Sequence, residues 1–367
     1  MSKESFIKQI DKQISKSTNE LAIKLESYRI DVSEEIPPPE IAWEVRNDDS
    51  EYFTILGTLG NFSLVKGKAK SKKSFFINMA IAAAVGEGVV LQNKFRCPLK
   101  EGFSDVLYFD TEQSKYHVQK AAKRICRQVG VDVPPNLTTF GLRKASPSER
   151  LKLVEYAIEN TPNLGFVVID GVRDLITSIN DEGESTTMSS SLLRWTEEYN
   201  IHIIVVLHEN PGSDKARGHI GTELTNKAET VIALEVDKSD DNISIVSAGF
   251  CRNKSFKPFA FEITDDGLPR IVEDYVFNLK SLKKSFDVLT LSSIDKFQIL
   301  KEVFTNGVGF KDGELINQIK VVLDKKYPGT KGKGQGKIKQ LITESKNEKW
   351  LLQEGNRKPY TLGNLSV

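Results

Sequence analysis

Eight consecutive residues carry the densest chemistry in this sequence: Gly67-Lys68-Ala69-Lys70-Ser71-Lys72-Lys73-Ser74. They fit the pattern G-x-x-x-x-G-K-[ST] at every position except the second glycine, where Lys72 stands. A turn of this kind aims backbone N–H groups at a β-phosphate. A lysine in the place of Lys73 reaches the β/γ oxygens, and a hydroxyl in the place of Ser74 ligates Mg²⁺ at a helix N-terminus, where the dipole favours anions. The ligand implied is ATP with Mg²⁺, cradled by residues Gly67 to Phe75. A solvated lysine-rich turn is the plainer reading of the same letters, and the flanking sequence argues against it.

Three further apolar runs end in polar groups. VLYFDTEQ sets Asp110 and Glu112 just past a strand, where a carboxylate orients a water. GFVVIDG ends on Asp170, placed to hold Mg²⁺ beside Ser74, and IIVVLHEN ends on His208, placed to sense a γ-phosphate. Any single Asp after a strand is usually a cap or turn residue. Asp110 in particular either serves Mg²⁺ or caps the next helix, the commoner role. Four polar groups at four strand ends are another matter, because ligands of open α/β sheets bind at the carboxyl ends of the strands.

The elements that must position these groups follow from hydrophobic pattern. Strands are expected at 62–67, 105–112, 137–142, 165–171, 201–209, 229–236 and 243–250, with helices at 74–85, 115–129, 148–159 and 189–199. Strand alternating with helix means a parallel sheet covered on both faces. The late strands, joined by short turns, read as antiparallel additions at its edge. The fold class is therefore α/β, a parallel sheet flanked by helices with antiparallel edge strands, plus a small C-terminal domain.

That domain is expected from helices at 295–304, 312–324 and 336–345 followed by two short strands, the order of a winged helix. Residues 1–40 read as a polar helix with Phe6, Ile10, Ile14 and Leu21 at near-helical spacing, then the stiff IPPPE linker at Ile36–Glu40. Domain boundaries are thus expected at 1–40, 41–275 and 276–367.

The stretch from about Gly60 to Phe250 resembles the RecA/DnaB-type ATPases and, within them, the RepA-like replicative helicase branch of AAA_25 type. The resemblance implies that Lys73 and Ser74 are the Walker A pair, Glu112 the catalytic base, Asp170 the Walker B aspartate and His208 the sensor. It also implies that Lys215 and Arg217, in GSDKARGHIGTELTNKAETVIALE, reach a neighbour's γ-phosphate in trans, with Arg217 as the finger. A hexameric ring acting on DNA, single-stranded above all, is what such a resemblance implies, in a plasmid or mobile element. The competing reading is a nucleotide-controlled DNA-binding regulator or signalling ATPase without translocation. A third is a nucleotide-binding scaffold without turnover, on account of Lys72.

Composition sets limits on class. The 367 residues are 39% hydrophobic and 28% charged, with net charge +1, the profile of a soluble globular protein. No apolar run of eighteen residues occurs, so no membrane span is expected, and the N-terminus lacks a signal-peptide core. Three widely spaced cysteines, Cys97, Cys126 and Cys251, favour neither disulfides nor zinc and suit a reducing, cytoplasmic setting. From Lys311 onward there are twelve Lys/Arg against six Asp/Glu, an excess that hints at an anionic partner. Lys331, Lys333, Lys337 and Lys339 suit phosphate contacts, or a solvated loop. His117, His202 and His219 read as surface or core histidines and Trp195 as packing, while Arg143 either reaches nucleotide or DNA or is a salt-bridged surface arginine, the commoner role.

Overall fold

The computed structural model describes residues 20–47, 52–86, 89–91, 93–209, 216, 218–273, 275–277, 288–291, 293–305, 307–327, 334–355 and 358–364. Residues 20–26 form helix α1 and, with the IPPPE segment that follows, are largely exposed. Phe6, Ile10 and Ile14 of the expected N-terminal helix lie outside the described residues. The chain divides into two compact units, Met1–Glu273 and Asp274–Val367.

The first unit opens with strands that local pattern did not announce. β1 (Ile41–Arg46) pairs antiparallel with β2 (Phe53–Thr58), and β4 (Val89–Val90) and β5 (Phe95–Arg96) complete a small four-stranded sheet. Glu44 is buried in β1 because Arg96, from β5, donates to its carboxylate. A buried charge is tolerable only when paired in this way. Trp43 beside it packs against Phe76, Phe95 and Phe166.

The main sheet has nine strands among the described residues. β3 (Phe62–Gly67), β6 (Asp105–Asp110), β7 (Leu137–Gly141), β8 (Leu164–Asp170), β9 (His202–His208) and β10 (Thr230–Val236) run parallel. β11 (Ile243–Cys251), β12 (Phe259–Ile263) and β13 (Pro269–Ile271) add on antiparallel, giving the order β13-β12-β11-β10-β3-β9-β8-β6-β7. In β8 and β9 every residue but the last is buried, as a strand covered on both faces requires.

Alternation along β8 divides the core in two. Phe166 and Val168 face a cluster with α2 (Lys73–Val85), whereas Val167 and Ile169 face one with α5 (Glu182–Tyr199) and α6 (Gly218–Lys227). α2 is buried almost all round, and its Ala80 and Ala82–Ala84 let it press against the sheet. α3 (Lys115–Val129) and α4 (Pro147–Asn160) cover the β6–β7 end. Trp195 is a core residue of α5, and its indole N–H donates to Glu155 at 3.2 Å. α5 begins at Glu182, earlier than the expected 189, because the Asp181 carboxylate accepts from Glu184 N (2.7 Å) and caps its first turn.

In the second unit, α7 (Ser293–Val303), α8 (Asp312–Lys326) and α9 (Gln335–Asn347) precede an antiparallel pair, β14 (Leu351–Gln353) and β15 (Tyr360–Leu362). Its own core includes Ile299, Leu315, Ile319, Leu341, Trp350 and Tyr360. Lys337 and Lys339 lie in the first turns of α9, while Lys331 and Lys333 lie outside the described residues.

Candidate nucleotide site

The loop from β3 to α2 owes its shape to contacts across the sheet as much as to its own residues. At Gly67 a Cβ would stand 2.5 Å from the Leu234 carbonyl oxygen and 2.6 Å from Ser71 Oγ, so only glycine fits. Lys72 adopts φ 60°, ψ 30°, the left-handed conformation that a glycine would take easily, and Lys70 is left-handed too at φ 67°. The Lys72 ammonium donates to the Asp241 carbonyl in the β10–β11 turn. Burial pushes the Lys72 pKa down, opposed by the charges of Asp241 and Asp240.

The other groups arrive from neighbouring strand ends. Lys73 Nζ donates to the carbonyls of Gly67 (2.9 Å) and Lys68 (2.8 Å) and lies 3.2 Å from His208 Nδ1. Since Lys73 donates, His208 accepts at Nδ1 and carries its proton on Nε2. That nitrogen is 3.6 Å from Glu112 Oε1. His208 thus links the lysine to the carboxylate, and its contact is the first cause holding the Glu112 pKa down. Ser74 Oγ donates to Asp170 Oδ2 at 2.8 Å. Burial and the nearby Asp110 carboxylate raise the Asp170 pKa from 3.8 to about 7. Lys73 itself is pushed down by burial against the pull of Asp170, Glu112 and Glu209.

Asp110 has structural work. Its Oδ1 accepts the backbone N–H groups of Glu112 (3.0 Å) and Gln113 (2.8 Å), and its Oδ2 accepts from Gln113 Nε2 (2.6 Å). The carboxylate holds the turn that presents Glu112. Lys70 to Phe75 line a cleft of about 440 Å³ with Glu112, Asp170 and His208, while Gly67 and Lys68 support it through their carbonyls and Ala69 lies in the turn between. The cleft also includes Gln113, Lys120 and Arg124, which sequence reasoning passed over, and His117, which it read as a surface or core histidine. Arg124 lies over the Phe75 ring at 3.7 Å and donates to Asn78 Oδ1 at 2.7 Å. A readable signal was there, because α3 carries five Lys/Arg and no Asp or Glu. Lys215 and Arg217 lie outside the described residues. His202 is a core residue, buried with Nδ1 2.9 Å from the Thr58 carbonyl, and His117 and His219 are exposed.

The residues fit Mg²⁺. A hydroxyl and a carboxylate sit together at the strand ends, and an Asp170 carboxyl raised to about 7 is short of positive charge.

A phosphate-binding loop on the central strand of a mostly parallel sheet, with carboxylates at the ends of β6 and β8 on one side of it, defines a RecA-like P-loop ATPase fold. The AAA_25 family model, described as an AAA domain, matches residues 30–214, half of the chain, and the chain belongs to that family. No curated protein matches it in sequence. Among solved structures, the RadB recombinase is 15% identical with a TM-score of 0.41, over 59% of this chain and 92% of that one. A KaiC-like protein from the hyperthermophilic archaeon Pyrococcus horikoshii OT3 is 14% identical with a TM-score of 0.41, over 59% of this chain and 90% of that one. Among the described residues no helix is long and apolar enough to cross a membrane.

Proposed function

We propose that this chain hydrolyses Mg-ATP to act on DNA, as a RepA-like hexameric helicase or a DNA-remodelling protein of a plasmid or mobile element. The observation that carries the reading is the gathering of Lys73, Ser74, Glu112, Asp170 and His208 in one cleft from four separate strand ends. Glu112, ionised and outside the lysine's own contacts, orients the attacking water and takes its proton. Lys73 exchanges its carbonyl partners for β/γ oxygens. His208, touching both, registers whether the γ-phosphate is present. Ser74 and Asp170 hold Mg²⁺, which neutralises phosphate charge.

Arg217, with Lys215 beside it, completes a neighbour's site. Residues 1–40 form an arm, 41–275 the ATPase domain and 276–367 a winged-helix-like domain in which Lys331, Lys333, Lys337 and Lys339 meet DNA phosphates.

ATP turnover with and without single-stranded DNA, alongside the oligomer mass, tests the reading. Stimulation by DNA in a hexamer supports a motor, and turnover indifferent to DNA supports a nucleotide-controlled switch instead. Mixing Arg217→Ala with Glu112→Gln subunits, each inactive alone, should restore turnover at interfaces that pair intact residues. No recovery would show that the site is not shared.

A further inference from the structure

On the far side of α3 from the nucleotide cleft lies a second, larger cavity of about 760 Å³, well within the usual range of small-ligand sites, roughly 300–1,000 Å³. Its rim carries Lys115, Arg143 and Lys144, and no acidic residue lines it. Among the described residues none of these three side chains is ion-paired. The apolar side chains of Val118 and Ala122 contribute its floor. Uncompensated cations around an apolar floor match a ligand that joins a phosphate to a flat, weakly polar group, which is a nucleotide unit.

The two cavities share one residue. Gln113 lines both, and its backbone N–H and side-chain amide both donate to Asp110. The same carboxylate accepts from Glu112 N at 3.0 Å. A ligand drawing on Gln113 therefore acts on the turn that aims Glu112.

We infer that this second cavity holds a nucleotide of single-stranded nucleic acid, with its phosphate on Lys115, Arg143 and Lys144 and its base over Val118 and Ala122, and that Gln113 couples its occupancy to ATP hydrolysis. The inference rests on the proposed DNA-dependent ATPase activity. Free mononucleotide shares the ligand chemistry, and the test separates the two sources.

The full chain and an Arg143→Glu/Lys144→Glu variant are compared by anisotropy of a labelled oligo(dT) across a salt series. Both substituted residues are exposed, and equal melting temperatures check the fold. The variant should bind at least about tenfold more weakly at low salt, with a log–log salt slope flatter by about 0.7, the value for one phosphate contact to a single strand. Its basal turnover should persist while stimulation by DNA disappears. Gln113→Ala should weaken oligo(dT) binding far less than the double charge reversal does, while lowering the ratio of stimulated to basal turnover, a split that a merely structural role would not produce. If the parent chain binds oligo(dT) and the double variant binds it equally well, this site is wrong and the ATPase reading stands. If the parent binds no DNA, the DNA-dependent reading fails with it. If calorimetry finds two ATP per parent chain and one per variant chain, the occupant is free nucleotide and the assignment to nucleic acid is overturned.

Discussion

Asp170→Asn should stabilise the metal-free protein while disabling it. In the fold, burial and the Asp110 charge hold the Asp170 carboxyl protonated up to about pH 7, against 3.8 for the free side chain. A folded-state pKa above the unfolded one means that stability is fully present below about pH 4 and is lost as pH rises through 7. Three powers of ten at about 1.4 kcal/mol each put the full penalty at about 4 kcal/mol. Asp170 is only half-buried at the mouth of the cleft, and solvent screening reduces the expected gain on removing the charge to about 2 kcal/mol. Asparagine still offers Ser74 an acceptor oxygen. Thermal melts in EDTA at pH 8 should show the variant higher by roughly 4–8 °C, the scale for a domain of this size, with the gap closing toward pH 4. Added Mg-ATP should raise the melting temperature of the parent far more than that of the variant. A variant equally or less stable than the parent at pH 8 would refute the account of Asp170 as a charge held short of its cation.

Three further outcomes follow from the cleft. Glu112→Gln should keep ATP affinity and lose turnover by about 10²-fold or more in a steady-state phosphate-release assay, while Asp110→Asn should show its main effect as a lower melting temperature. Lys72→Gly should leave the unfolding free energy in urea unchanged or raise it by up to about 1 kcal/mol, since relief of a left-handed residue worth about 1–2 kcal/mol offsets the lost Asp241 contact. Lys72→Val should lower it, because a β-branched residue tolerates that conformation poorly. Gly67→Ala, which would drive a methyl against the Leu234 carbonyl, should destabilise the first unit by about 1–3 kcal/mol and abolish binding of a fluorescent ATP analogue.

What was legible in the sequence was what depends on short stretches of chain. The strands around Val167 and Val205 are buried on both faces, so they read as unbroken apolar runs, and the polar group ending each run marks the cleft. β1 and β2 were illegible for the opposite reason. IAWEVR contains Glu44, whose partner Arg96 lies 52 positions away, and no local window shows that the charge is compensated. The early start of α5 was readable in principle from Asp181 and Glu184, a carboxylate three residues before a first-turn acid, but the polar run EGESTT masked it. Arg124 enters the cleft only because α3 packs beside α2, and Gln113 because Asp110 holds its turn at the end of β6, both tertiary facts.

Lys72 shows where a motif and its physics part company. The second glycine of the pattern serves a left-handed backbone, and here a lysine takes that conformation outright. Such a residue persists only where its surroundings over-determine it. They do so from three directions: Gly67 is pressed against Leu234, Lys73 is tied to the carbonyls of Gly67 and Lys68, and Lys72 reaches across to the β10–β11 turn. The loop's shape is thus imposed by the sheet beneath it and the hairpin beside it, and the missing glycine leaves that shape in place. What the lysine adds is one more cation in a cleft where Lys70, Lys73, Lys120 and Arg124 already face Asp110, Glu112 and Asp170. A departure from the pattern that keeps the backbone and adds positive charge favours phosphate binding.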